Sequence, residues 1–222
     1  MRDGRAYTAA MKALAVAASV FVLATVAGSA SAAFQSSVSR LPAQVRDRIV
    51  GSSWHQGCPV PLRKLRYVRV SIHKFDGSKR QGRLILHRSQ AHKIVKVMHK
   101  LWRADYPIRR MRLVDAYGAS DSRSMRADNT SAFNCRYVAG TTSWSMHAYG
   151  KAIDLNTVEN PYVSGSHVSP KNGAKYADRC CHPAIIHAGD GVVRAFASVG
   201  WGWGGYWSGG TRDYQHFSTT GG

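Results

Sequence analysis

The stretch Ser145-Met-His147-Ala-Tyr-Gly150-Lys-Ala-Ile-Asp154-Leu-Asn156 sets the local geometry to which the rest of the chain must conform. From Lys151 to Asn156 the side chains alternate. As a strand, this segment puts Ala152, Asp154 and Asn156 on one face and sends Ile153 and Leu155 into the core. His147 lies seven residues before Asp154, an odd spacing that one unbroken strand would place on opposite faces. The strand must therefore break at Tyr149-Gly150, and glycine permits the break. A helix is the rival, because seven residues are close to two helical turns. Gly150 and the alternation after it argue for the strand.

A second stretch, Asp213-Tyr-Gln-His216, supplies another histidine and another carboxylate. If the two segments meet, they hold the inventory of a catalytic zinc site: three protein ligands from imidazole and carboxylate, with room left for water. His147, Asp154 and His216 are the expected ligands of one zinc ion. Asp213 is left over to take a proton from the attacking water. Three residues apart, Asp213 and His216 do not share one side of a flat strand. Asp213 is therefore expected where the strand starts, turned towards the metal. Zinc suits this N/O donor set. Of the ten histidines, His55, His73, His87, His92, His99 and His167 read as exposed or hydrogen-bonded residues.

The two motifs resemble those of the M15 family of zinc peptidases, the D-alanyl-D-alanine carboxypeptidases and L-alanyl-D-glutamate endopeptidases of peptidoglycan. The shared patterns are Ser-x-His-x-x-Gly-x-Ala-x-Asp, here Ser145 to Asp154, and Asp-x-x-His, here Asp213 to His216. Gly200-Trp-Gly-Trp-Gly-Gly-Tyr-Trp207 looks like the branch whose members end in a tryptophan-glycine run and Asp-Tyr-Gln-His-Phe. The resemblance covers roughly residues 115–217. It implies the zinc D-Ala-D-Ala-peptidase (hedgehog-like) fold and peptidoglycan stem peptides as substrate. Ser145 matches the first motif position, and the family's substrate arginine lies upstream of it. Arg136 is the choice here, with Arg123 as its rival. A guanidinium fork holds a carboxylate bidentately and a hydroxyl adds one donor. Trp203 is the expected substrate-stacking wall, with Trp207 the other aromatic nearest the site.

Outward from the motifs, residues 66–75 read as a strand in which Tyr67, Arg69, Ser71 and His73 alternate with Val68, Val70, Ile72 and Lys74. Asp76-Gly77 is a turn, and residues 82–87 give the return strand. Ser89 is placed to cap a helix with Ile94, Val95, Met98, Leu101 and Trp102 at helical spacing, closed by Pro107. Residues 111–114 are a short strand, residues 115–142 a long polar functional loop, and residues 191–198 a helix with Val192, Val193 and Phe196 inward. This order is α+β, a single domain with a small antiparallel sheet flanked by helices.

The first 32 residues stand apart. Arg2, Arg5 and Lys12 precede an apolar run that ends in Ala30-Ser31-Ala32, the pattern of a signal peptide cleaved near Ala32. Met11 is an alternative start. The run is short for a membrane span, so no transmembrane anchor is expected. Residues 33–222 form one peptidase domain: a basic half, 33–114, and a half with the catalytic motifs, 115–222. Localisation outside the cell, in the wall or the periplasm, follows, and a monomer is expected.

The formal charge is +19, or +17 without the leader's three basic residues and Asp3. Residues 63–112 hold 16 Lys and Arg against Asp76 and Asp105. Such a field attracts polyanions. For an exported chain those are anionic cell-wall polymers, and no nucleic acid is expected. Cys58, Cys135, Cys180 and Cys181 form an even set that suggests disulfides outside the cell. The adjacent pair is strained as a bridge, so Cys58 and Cys135 are each expected to pair with one of the adjacent two. A second metal site at Cys180, Cys181, His182 and His187 fits no standard zinc spacing. Against the enzyme stands a non-catalytic wall- or polyanion-binding protein that keeps the fold. The retained Asp213 speaks against it.

Overall fold

Val68, Val70 and Ile72 leave one face of a strand and meet Ile94, Val97, Met98 and Leu101 of a helix, and all seven are buried. A computed structural model describes Met1 and residues 33–221; the rest of the expected leader, residues 2–32, lies outside the described residues. Strand β1 (Ser36–Ser39) pairs antiparallel with β2 (Leu65–His73), which pairs antiparallel with β3 (Lys79–His87). At the β2–β3 turn, Gly77 takes φ +75° and the Asp76 carboxylate accepts from Ser78 N–H at 2.9 Å. The alternation read from the sequence is the alternation observed. β3 starts earlier than expected, at Lys79, because its first residues are exposed and carry no apolar signal.

Helix α1 (Ala43–Ile49) follows β1, and α2 (Ala91–Arg103) covers the sheet. Ser89 does not cap α2. The N-cap is Gln90, without a side-chain bond. The Ser89 hydroxyl is instead held by His87 Nδ1 at 2.8 Å. Pro107 is not what closes α2, which stops at Arg103. Residues 115–142 are more ordered than a polar loop. They contain helix α3 (Asp121–Arg126), capped by Ser120, whose Oγ accepts from Arg123 N–H at 3.3 Å. They also contain β5 (Asn129–Thr130), parallel to β4 (Arg110–Met111). A helix of six residues with Met125 as its one apolar side chain has no hydrophobic period to read.

Strands β6 (Ala152–Asp154), β9 (Gly202–Trp203) and β11 (His216–Ser218) form a second antiparallel sheet in the order β6-β11-β9. Strands β7 (Tyr162–Ser164), β8 (His167–Ser169) and β10 (Thr211–Asp213) form a third, ordered β10-β7-β8. Helix α4 (Gly191–Ala197), capped by Asp190, sends Val192, Val193 and Phe196 inward as expected. The architecture is mixed, with small antiparallel sheets and few helices. One detail differs. Residues 152–156 are buried throughout rather than on one face alone, and β6 has β11 paired along one edge and Ser131 bridged to Asp154 along the other.

A smaller core gathers Ile49, Val60, Leu65, Ile85 and Phe133 around Cys135. Here the expected cysteine pairing is corrected. Cys58 is bonded to Cys135, with Cα atoms 5.9 Å apart, and Cys180 to Cys181. Cys135 N–H donates to Ser53 O at 2.9 Å, which draws its segment against the loop that carries Cys58. Strain in a bridge between adjacent cysteines favours other partners; this hydrogen bond and the small core bring Cys58 to Cys135 instead.

Candidate metal centre

His147 sits in a 3-10 turn, Met146–Tyr149. Ser145 caps the turn, and its Oγ accepts from His147 N–H at 3.3 Å. Gly150 ends it with φ +63°. The break at Tyr149-Gly150 is thus real, but the segment before it is a tight helical turn rather than a strand. His147 Nδ1 lies 2.5 Å from Ala132 O. A carbonyl accepts, so Nδ1 carries the proton and the Nε2 lone pair faces the site.

Asp154 ends β6 and is the direct cross-strand partner of His216 in β11. This register brings the two motifs together. Asp154 Oδ2 is 3.1 Å from His147 Nε2, and Asp154 Oδ1 is 3.1 Å from His216 Nδ1. His147 Nε2 and His216 Nδ1 are 3.3 Å apart. One donor atom from each of the three residues lies within 4.8 Å of the others, and all three residues are buried. The facing histidines hold the Asp154 carboxyl well below the usual carboxylate range, against the opposing effect of burial. Against its own burial, His147 is shifted upwards by that carboxylate.

Two imidazoles and one ionised carboxylate, with the distal nitrogen of His147 fixed by a carbonyl, fit a zinc ion. The other cluster of possible donors, His55, Cys58 and Cys135, has its sulfurs joined in the disulfide. Cys180 and Cys181 are likewise bonded to each other, and no metal-type cluster that includes His182 and His187 is found among the described residues.

Asp213 lies at the end of β10, opposite Tyr162, and not where β11 starts. The turn Tyr214-Gln215 separates it from His216, so the two side chains approach one site from different strands. Its Oδ1 is buried and has no hydrogen-bond partner among the described residues. Burial pushes the carboxyl up to about 6, with the Asp154 charge adding to the effect and His216 opposing it. Gly204 makes the placement possible: a Cβ there would stand 2.5 Å from Asp213 O.

These groups line a cleft of about 780 Å³ together with Ser145, Arg136 and Trp207. Ser145 is buried beside His147. Arg136 reaches the cleft, yet its Nη2 is bonded to Asp121 Oδ2 at 2.8 Å, and its Nε is buried without a partner. Arg123, the rival, turns away and donates to Tyr117 O and Gly118 O. Trp203 is corrected: it is buried in the core, donates to Tyr214 O at 2.8 Å, and does not line the cleft. β9 is two residues long and its partner Phe217 faces the core, so Trp203 follows it inward. Trp207 lines the cleft instead, 5.8 Å from the His216 ring, with Trp144 and Tyr162 also on its lining. Sequence reasoning missed Asp121 and Gln215. Asp121 lies on the short helix α3, whose single apolar residue, Met125, gives no period to read. Gln215 was inside the second motif but was read as spacing.

The two imidazoles and the carboxylate form a candidate metal-binding triad beside a second carboxylate in one cleft. Residues 139–219 match a family model described as D-alanyl-D-alanine carboxypeptidase, and the match supports an M15 family peptidase. The matched segment contains Ser145, His147, Asp154, Asp213 and His216; Arg136 precedes it. Neither a curated protein nor a solved structure gives a significant match to the chain.

Proposed function

We propose that this protein is an exported zinc peptidase that hydrolyses peptide bonds in peptidoglycan stem peptides. The observation that carries this reading is the convergence of His147, Asp154 and His216 in one cleft with a carboxylate, Asp213, that has an unpaired buried oxygen. His147, Asp154 and His216 would hold the zinc ion. The ion, when bound, supplies a Lewis acid that polarises the scissile carbonyl and acidifies water.

The chain's own residues do the rest. Asp213 accepts the proton of the attacking water and returns it to the leaving amine, a role suited to a carboxyl whose pKa is near 6. The Ser145 hydroxyl accepts from His147 N–H, which leaves its own hydrogen for a substrate carboxylate. Arg136 presents the second donor set, with Asp121 fixing its orientation. Trp207 forms an apolar wall beside His216.

The test is incubation of purified peptidoglycan with the protein, with and without chelator, followed by mass analysis of the fragments. Chelator-sensitive loss of a terminal D-alanine marks a carboxypeptidase, and chelator-sensitive new internal amino groups mark an endopeptidase. Intact peptidoglycan in every arm refutes the reading. No helix among the described residues is long and apolar enough to cross a membrane.

A further inference from the structure

A second concavity, of about 730 Å³, is lined by Arg40, Arg46, Arg63, Lys64, Arg66 and Arg88 over a floor of Leu41, Leu62 and Leu65. It shares no lining residue with the metal cleft. Among the described residues, six cations line it and no carboxylate does. Arg46 touches Asp47 at 3.8 Å, both side chains being exposed. Arg66 is anchored by donating to Arg63 O and Leu65 O. The side-chain heads of Arg40, Arg63, Lys64 and Arg88 have no hydrogen-bond or ion-pair partner among the described residues.

The backbone builds this concavity. Arg88 N–H donates to Lys64 O at 2.7 Å, which ties the end of β3 to the start of β2. Arg40 and Arg46 come from the segment around the start of α1, far off in sequence. His87, next to Arg88 in the chain, is held below its ordinary pKa by burial and by the charges of Lys151, Lys64, Arg88 and Arg66. Like charges brought together without counter-charge cost stability. Their clustering in a hollow is accounted for if an anion fills it.

We propose that this hollow is a binding site for an aliphatic poly(phosphodiester), the chemistry of an anionic wall polymer. Five of the six cations are arginines, whose planar forks match phosphate oxygens two at a time. The floor is leucine. Among the described residues no aromatic side chain lines the site to stack on a base, which argues for a polymer without bases over nucleic acid. This narrows attraction by the whole basic half to one face that includes Arg40 and Arg46, outside the basic run. It does not depend on the peptidase reading, since the two pockets are separate.

The test measures binding of the purified full chain to a fluorescent poly(glycerol phosphate) oligomer at low salt. The combined variant Arg40→Gln, Arg63→Gln, Arg88→Gln should weaken binding at least about tenfold, as expected for losing several charge-assisted contacts. The combined variant Lys96→Gln, Lys100→Gln, Arg103→Gln removes the same charge from α2 and should bind within about threefold of the parent. The combined variant Arg40→Lys, Arg63→Lys, Arg88→Lys keeps both charge and fold, and should lie between the first variant and the parent. Cleavage of a soluble stem peptide should be equal in all four proteins. Equal losses in the first two variants would reduce the site to diffuse charge and overturn the proposal. Unchanged binding in the first variant would also overturn it. Tighter binding of single-stranded DNA with the same number of phosphates would reassign the site to nucleic acid.

Discussion

Gly150 lies against the backbone of His87: His87 N–H donates to Gly150 O at 2.8 Å, and a Cβ on Gly150 would stand 2.6 Å from His87 N. The turn that aims His147 at the metal site is thus seated on the end of β3. Gly150→Ala combines a left-handed φ of +63° with a backbone clash. It should destabilise the fold by about 2–4 kcal/mol and weaken metal binding as well, because the His147 turn must move. Denaturant titration with a zinc assay on the folded fraction checks both. An alanine variant of parental stability would mean that the contact is slack.

Metal retention and turnover should separate. His147→Ala or His216→Ala should abolish stoichiometric zinc. Asp213→Asn should keep zinc and the fold while turnover falls by about two orders of magnitude or more, the scale of a lost general base. Metal analysis beside a stem-peptide assay reads both. Near-normal turnover of Asp213→Asn would make that residue structural.

The Cys58–Cys135 bond links positions 77 residues apart and closes the smaller core. Replacing both cysteines by serine should cost about 2–4 kcal/mol. Non-reducing peptide mapping should recover Cys58 linked to Cys135. Recovery of either one joined to the 180–181 segment would restore the pairing expected from the sequence.

Glu159 is buried beside Asp128, which Arg109 Nε meets at 3.1 Å. Burial and the Asp128 charge push Glu159 from 4.5 up to about 8. A raised folded-state pKa means that the stability of the protonated form is complete below about 4.5 and is lost as pH rises through about 8. Glu159→Gln should therefore match the parent near pH 4 and exceed its Tm by about 2 °C or more near pH 9. Parallel melting curves across that range would show no such linkage.

Legible in the sequence were the candidate donors His147, Asp154 and His216, the hairpin β2–β3, the inward faces of α2 and α4, and the break at Gly150. Each of these is written in neighbouring residues, as alternation, helical spacing, or donor patterns inside two short motifs. Tertiary structure decided what depends on residues far apart in the chain. The β6–β11 register seats His216 beside Asp154, although the two lie 62 residues apart. Gly204 leaves room for Asp213, and the short strand β9 turns Trp203 into the core while Trp207 keeps the cleft. Cys135 meets Cys58 because a hydrogen bond to Ser53 and a small apolar core draw two loops together. The arginine-lined hollow joins residues around α1 to the ends of β2 and β3. Local propensity acts over a few residues, whereas these placements follow from packing between segments, where a single register or contact selects the partner.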